Sequence, residues 1–340
     1  MTDPATPNPA TSDRPFRIIV AGTGGTIAST GADPANSVDY QVTTTVGSLI
    51  EGLAAHVPGI SVQAEQIVNV DSSEIGNALL LEIARGAAAI LARPEVDALV
   101  LTHGTDSLEE TAYFLHLVLK TGKPVVMVGA MRPASALGAD GPANLVDGLR
   151  VAAEPAAAGL GVLVLSNGAV YSARDILKTH PVALDALGAA RRGPLGELSG
   201  SAVFFHHRPV PRHTLTSAFD LAEIAALPTV DILFDHQEAR ELFYAAALDG
   251  GAQALVIAAY GNGSLSPGAL HGIARARAVG VPVIRASRTM AGVVSARPEE
   301  AETGLISALG LTPQKARILM LCALASQQPL SKLQELFATH

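Results

Sequence analysis

The sequence predicts an α/β protein with a larger N-terminal domain, whose mostly parallel sheet is flanked by helices, and a smaller C-terminal α/β domain. Three observations carry this expectation. Short runs rich in Val, Ile and Leu alternate with longer helical stretches. The runs are apolar at consecutive positions rather than at every second one, which is the pattern of strands buried on both faces. The length of 340 residues corresponds to two domains of about 150 residues each. With 49% hydrophobic and only 16% charged residues, the chain can fill two cores and is neither disordered nor collagen-like.

Residues 1–15 hold Pro4, Pro7 and Pro9 and no apolar run. They read as a disordered tail rather than a secretory signal, so a cytoplasmic protein is expected. The N-terminal α/β domain is expected over 16–206. Arg17–Ala21 is β-branched and ends in glycines, and Gln66–Val70 is a second strand followed by a helix over Ile75–Leu91. Ala98–Thr102 is a third strand. A helix follows from Ser107 to Lys120, with Leu108, Ala112, Leu115 and Leu119 on one face. Pro124–Val128 and Gly161–Leu165 complete the strand set. The texture then changes over 191–229, where Arg, His, Pro and Gly are scattered, and the linker is placed at 207–228. In the C-terminal domain, 229–340, the runs Ile232–Phe234, Ala254–Ala258 and Val281–Ile284 are strands, and Pro313–Ser326 is the last long helix.

Charge narrows the function classes. The balance of 23 basic against 31 acidic residues gives −8, with no basic stripe of the kind a nucleic-acid binder shows. No apolar stretch reaches the roughly 18 to 20 residues of a membrane span. The single cysteine, Cys322, lies in the apolar run Ile318–Leu324 and reads as a buried helix residue, so no intrachain disulfide or Cys-based metal site is expected. His206, His207 and His213 lack a carboxylate or Cys at ligand spacing, so no metal is expected there either. A small neutral or zwitterionic substrate fits this balance.

In open α/β sheets ligands sit beyond the carboxyl ends of strands, and four post-strand turns stand out. Gly22-Thr23-Gly24-Gly25-Thr26-Ile27-Ala28 begins like a dinucleotide fingerprint but has Ile27 where a small residue belongs. Its hydroxyls suit either a nucleophile, Thr26, or simple capping of a tight turn. Thr102-His103-Gly104-Thr105-Asp106-Ser107 opens a helix. There Ser107 with Glu110 fits a capping box, Asp106 a cap or a substrate contact, and His103 a hydrogen-bonded turn residue rather than a base. In Asn69-Val70-Asp71-Ser72-Ser73-Glu74, Ser72 suits a substrate carboxylate and Asp71 or Glu74 an ammonium group, with capping as the alternative. In Asn167–Thr179, Lys178 is either a snorkelling surface residue or, if buried near Thr105 and Asp106, a base. Ser29–Tyr40, rich in Gly, Ser, Asp and Asn, reads as a lid.

Taken together, these segments resemble the bacterial L-asparaginase family, in its type II and glutaminase-asparaginase branch. The resemblance rests on Thr23–Ala28, His103–Asp106 continued by Leu108–Leu115, Val126–Pro133, Ala139–Leu145, Gly261-Asn262-Gly263 and Pro313–Arg317, and runs in order from about Arg17 to the C-terminus. It implies hydrolysis of L-asparagine to L-aspartate and ammonia, with L-glutamine a possible second substrate, and without metal or organic cofactor. It implies Thr26 as nucleophile with Tyr40 beside it on a mobile lid, and Thr105, Asp106 and Lys178 as a second catalytic group. Ser72 and Asp106 would hold the substrate's carboxylate and ammonium, with Ser73 in the same pocket, and the Ala130 carbonyl would face the leaving amide. The family's homotetramers place active sites between subunits, across which Asn262 would reach.

The sequence departs from the family pattern at Ser107, Ser73 and Gly168, and is shorter than usual between Arg285 and Gly304. The acidic partner of Tyr40 is therefore not placed between Glu299, Glu300 and neither. A glutamine-preferring amidohydrolase on the same scaffold and a non-catalytic sensor of Asn or Asp are the alternative readings.

Overall fold

The computed structural model describes residues 14–36, 39–289, 291–298, 300 and 304–340. The expected disordered tail thus falls almost wholly outside the described residues. In chain order the N-terminal part contributes β1 (Phe16–Gly24), the short strands β2 (Ser29–Thr30) and β3 (Gln41–Val42), α1 (Val46–Ile50), β4 (Ile60–Val70) and α2 (Asn77–Leu91). It continues with β5 (Ala98–Thr102), α3 (Leu108–Val118), β6 (Val125–Val128), α4 (Gly141–Ala153), β7 (Val162–Ser166), β8 (Ala169–Ser172), β9 (Leu177–Lys178), β10 (Leu187–Gly188), β11 (Gly196–Ser199) and β12 (Ala202–Phe205). The C-terminal part holds β13 (Val230–Phe234), α5 (Leu242–Asp249), β14 (Ala254–Ala259), α6 (Pro267–Ala278), β15 (Val283–Ser287), β16 (Leu305–Ser307), α7 (Pro313–Ala325) and α8 (Leu333–Thr339).

Eight strands of the N-terminal part share one sheet in the order β12-β11-β8-β7-β6-β5-β1-β4. From β4 to β7 every pairing is parallel; β8, β11 and β12 extend the sheet antiparallel. A separate parallel sheet, β13-β14-β15-β16, forms the smaller domain. The consecutive apolar residues of the central strands are explained by cover on both faces. Ile18 and Val20 of β1 pack with Leu145 and Leu149 of α4, while Ile19 and Ala21 face the α2 and α3 side.

The two domains share a core. Leu80, Leu81 and Ala84 of α2 and Tyr113, Phe114 and Leu117 of α3 pack in one cluster with Ile318, Leu319 and Leu321 of α7 and with Val256 and Ile284 from the smaller sheet. Full burial of one such Leu or Ile side chain is worth about 1.5–3 kcal/mol, so this shared layer fixes the second domain on the first. The other face of the smaller sheet, with Leu255, Ile257 and Val283, is covered by Tyr244 of α5 and by Ala269, Ile273 and Ala276 of α6.

Two expectations from the sequence are corrected. The strand expected at Gln66–Val70 begins at Ile60. It lies at the sheet edge, so its outer half carries alternating polar residues and gives no apolar run. The stretch 191–229, whose texture suggests a connection, contains the hairpin β11–β12 in its first part. Antiparallel edge strands with a solvated side need fewer apolar residues than buried parallel ones. Beyond Phe205 the chain reaches β13 through two short 3₁₀ turns, Thr214–Thr216 and Leu221–Glu223.

Because the layer between the sheets is common to both, thermal unfolding followed by circular dichroism is expected to be one transition. Leu319→Ala is expected to lower stability by about 2–5 kcal/mol, through lost transfer energy and the cavity left behind. Two resolved transitions in the parent protein would contradict a shared core.

Candidate active site

The order β4-β1-β5 makes β1 the point at which the chain's winding reverses, and the loops after these strands leave the sheet side by side. The turn after β1 is held to β4 by the Gly25 N–H donating to the Val70 carbonyl at 3.0 Å. The turn after β5 is held to β6 by the His103 N–H donating to the Val128 carbonyl at 2.9 Å. Between them the two glycine turns touch backbone to backbone. A methyl group at Gly25, where φ is +84°, would lie 2.2 Å from the Gly104 backbone, and one at Gly104 would lie 2.5 Å from Ser72 Oγ. Only glycine permits that approach and that φ together. Thr26 and Thr105 stand one residue further along these touching loops.

Thr26 is nearly buried and its Oγ1 shares a hydrogen bond with the Tyr40 hydroxyl at 2.9 Å. Tyr40 precedes β3, which pairs antiparallel with β2, so residues 31–36, 39 and 40 lie in the loop of a short hairpin; positions 37 and 38 of the expected lid lie outside the described residues. That loop is docked. Ala134 N–H donates to the Ser29 carbonyl at 2.8 Å, Leu137 N–H to the Pro34 carbonyl at 2.9 Å, and Gly31 N–H to Ser135 Oγ at 2.8 Å.

Lys178 is half-buried rather than snorkelling at the surface. Its Nζ donates to Thr105 Oγ1 at 3.0 Å and to Asp106 Oδ1 at 2.5 Å, with 17% of the lysine side chain exposed against 61% for Asp106. The ammonium occupies a lone pair of the Thr105 hydroxyl and orients it. Asp106 keeps its second oxygen on the open side, which suits it to receive a cation.

The neighbouring hydroxyls divide into free and committed groups. Ser73 Oγ and its N–H both donate to Asp71 Oδ1, at 2.7 and 2.9 Å, so Asp71 is a cap and Ser73 turns toward it. Ser72 is buried against Gly104. Ser107 does not form the capping box that its spacing from Glu110 suggests. Its hydroxyl donates to the Ser72 carbonyl at 2.6 Å and ties the two loops together, and it makes no capping bond to the helix. His103 is fully buried, shares a 2.7 Å hydrogen bond from Nδ1 to the Gly104 carbonyl, and is pushed by burial down to about 4. It is a neutral turn residue. Ala130 is buried in the loop after β6, which Asp140 organises by accepting the Met131 and Arg132 N–H groups, each at 2.9 Å.

Two sequence candidates lie apart from this cluster. Asn262 is exposed on the loop after β14 and is hydrogen-bonded to Ser295, its Oδ1 accepting the Ser295 N–H at 2.7 Å. Glu300 is buried and committed to Arg285, whose Nε donates to Glu300 Oε1 at 2.7 Å, and to the Arg297 N–H at 2.8 Å. It is thereby occupied as a structural anion. Glu299 lies outside the described residues. Sequence reasoning missed Glu109 and Lys315. Glu109 is buried and accepts the Lys178 backbone N–H at 2.6 Å, and Lys315, fully buried on α7, donates to three backbone carbonyls. Glu109 stands beside Glu110, and Lys315 between Gln314 and Arg317, so neither is distinguished by its neighbours in the sequence. Among the described residues no group of three or more His, Cys, Asp or Glu is arranged to hold a metal ion.

A family model described as the N-terminal domain of asparaginase matches residues 17–211, and one described as the glutaminase/asparaginase C-terminal domain matches residues 229–337. The chain is 40% identical to L-asparaginase 2 of Bacillus subtilis over 94% of this chain and 85% of that protein. It is 39% identical to a glutaminase-asparaginase of Pseudomonas fluorescens biotype A, over 94% and 89%. A crystal structure of a probable cytoplasmic L-asparaginase from Campylobacter jejuni superposes with a TM-score of 0.92 at 35% identity, covering 96% of this chain and all of that one.

The buried histidines give a pH dependence of stability. His103, His116, His213 and His340 are all depressed below their ordinary value, with burial the largest cause for each. Between the unfolded value, about 6.5, and the folded ones, the unfolded chain binds more protons, so stability is full above that window and falls as pH drops through it. Melting temperature is expected to fall between pH 7 and pH 5. His103→Gln, if it folds, is expected to flatten that slope, and an unchanged slope would show that this residue does not contribute to it.

Proposed function

The chain belongs to the asparaginase family, and on that premise we propose that it is an L-asparaginase, hydrolysing the side-chain amide of L-asparagine to L-aspartate and ammonia, with L-glutamine a slower second substrate. The observation that carries the residue roles is the meeting of two hydroxyl systems on touching loops, Thr26 with Tyr40 and Thr105 with Lys178 and Asp106.

In this reading Thr26 Oγ adds to the amide carbon, while its proton is relayed through the Tyr40 hydroxyl to the departing nitrogen. The C–N bond breaks and ammonia leaves, with an ester between Thr26 and the aspartyl group remaining. Water oriented by Thr105 and the Lys178–Asp106 pair then cleaves the ester, returning the proton to Thr26 and releasing L-aspartate. The exposed oxygen of Asp106 receives the substrate's ammonium group and Ser72 its carboxylate. Ser73, already bonded to Asp71, contributes its position rather than its hydroxyl. The Ala130 carbonyl faces the amide nitrogen, and the docked Ser29–Tyr40 segment excludes water during attack.

We also assign a homotetramer in which Asn262 reaches a neighbouring subunit's site. Its exposure on the loop after β14 supports this, as do the exposed apolar side chains Phe234, Leu242 and Phe243 in the same domain. A cytoplasmic setting is the one that the description of the Campylobacter jejuni relative supports. The glutamine-preferring alternative keeps one observation in its favour. Ser73 is turned to Asp71, so its hydroxyl is committed and not offered to the substrate's ammonium group.

Ammonia release measured separately with L-asparagine and L-glutamine decides among the readings. Preference for asparagine is expected. Comparable or reversed rates would select the glutaminase side, and tight binding of asparagine with no ammonia would select a sensor. Thr26→Ala and Lys178→Met are expected to abolish turnover with circular dichroism unchanged, and near-normal rates in both would overturn the residue assignments. Tyr40→Phe is expected to lower kcat by about 10²–10⁴, the range for a positioned proton-transfer group, with a smaller effect on KM.

A further inference from the structure

Lys178 ends a segment that is held by charges the reaction itself does not use. The segment runs from β8 to β9, and its carbonyls at Ala173, Arg174 and Ile176 converge on one ammonium group. Lys315 Nζ donates to them at 2.7, 2.8 and 2.6 Å, so three N–H donors meet three acceptors. Lys315 is 1% exposed and its Nζ lies 5.7 Å from the centre of the Tyr113 ring. Two residues beyond Ile176, the backbone N–H of Lys178 donates to Glu109 Oε2 at 2.6 Å. Glu109 sits in the first turn of α3, the helix that begins directly after Thr105 and Asp106. The same helix start therefore carries the two groups that Lys178 Nζ touches and the carboxylate that holds its backbone.

We propose that Lys315 and Glu109 are positioning residues for Lys178, clamping the segment before it and its own N–H so that Nζ is delivered to Thr105 and Asp106. The inference rests on the reading of Lys178 as part of the catalytic group. A buried lysine and a buried carboxylate are costly to desolvate, and burial pushes the lysine down to about 7 and the glutamate up. Each draws the other toward its charged form, and Asp175 acts on Lys315 in the same sense. A hydrophobic pair would fill this space at lower cost but would leave three carbonyls and one N–H without partners. Lys315 belongs to α7, so the clamp closes only when the second domain is docked on the first. Docking of the C-terminal domain thereby sets the position of a catalytic lysine in the N-terminal one.

The test uses three variants of the full chain, Lys315→Met, Glu109→Leu and Glu109→Gln. Lys315→Met keeps the stem and removes the donors; it is expected to lower kcat for L-asparagine about 10–100-fold with KM within about threefold, the signature of lost placement rather than lost binding. Glu109→Leu is expected to match it, whereas Glu109→Gln, which keeps a carbonyl acceptor, restores most of the rate. Hydrogen exchange of the 173–179 backbone is expected to rise in the first two variants and to stay at the parent level in Glu109→Gln, with other segments unchanged. Folded Lys315→Met and Glu109→Leu with parental kcat would overturn the proposal, as would a loss of kcat with exchange unchanged over 173–179. If Lys315→Met does not fold, the two Glu109 variants decide on the same readouts. Absence of ammonia from the parent itself would remove the functional reading, and the exchange measurement would still decide the clamp.

Discussion

The site depends on one steric constraint, the contact of the Gly25 and Gly104 backbones. A side chain at Gly25 would lie 2.2 Å from the Gly104 backbone, and one at Gly104 would lie 2.5 Å from Ser72 Oγ and 3.1 Å from Gly25 Cα. Because both positions are glycine, the turns after β1 and β5 come into close backbone contact, and the next residues are Thr26 and Thr105. The strand order places these turns side by side, and the glycines close the remaining gap. Ser107 and Ser72 add a polar tie between the same loops. A hydroxyl is a weak nucleophile in isolation, and in the proposed reading the phenol beside Thr26 and the ammonium beside Thr105 are what would give these turns chemistry.

Around that contact the protein spends buried charge on geometry. Lys315 and Glu109 are desolvated, and neither lies on the surface where an ion pair would be cheap and weak. Their hydrogen bonds go to backbone groups on the path to Lys178, where a displacement of about 1 Å would matter to a reaction that needs near-attack geometry. Arg285 and Glu300 form a second buried pair in the smaller domain and organise the loops carrying Asn262 and Ser295. The two pairs have a common logic. Irregular backbone near a site leaves carbonyls without secondary-structure partners, and a buried cation with several donors satisfies them together.

The lid follows the same economy of contacts. Ser29–Tyr40 is short of apolar side chains and gains order from its ends, through the β2–β3 pair, and from backbone bonds to 134–137. In the proposed reading such a segment suits a lid that brings the Tyr40 hydroxyl to Thr26. The packed layer shared by the two domains is the opposite case, with apolar residues from α2, α3 and α7 interlocked beneath the site. The packed scaffold and this segment meet at the hydrogen bond between Thr26 and Tyr40.

The sequence by itself determined the α/β architecture, the parallel core strands and the identity of the turns that carry hydroxyls, charges and glycines. These are local properties: a strand buried on both faces is apolar throughout, and a turn with positive φ and a close backbone neighbour, as at Gly25, needs glycine. Thr26, Thr105 and Asp106 stood out as candidates because their motifs follow strands, whereas the residues around Lys178 left it open between a surface position and one near Thr105 and Asp106. The edge strand from Ile60 and the hairpin β11–β12 were not legible, since half-exposed strands carry mixed residues. Only the tertiary structure decided that Lys178 bonds to Thr105, that Ser107 bonds to Ser72 instead of capping its helix, that Ser73 turns to Asp71, and that Lys315, 137 positions later than Lys178, holds the segment before it. Each of these is a choice among partners distant in sequence. A side chain's alphabet of donors and acceptors is written in the chain, but which of them it meets is fixed by the packing of whole layers.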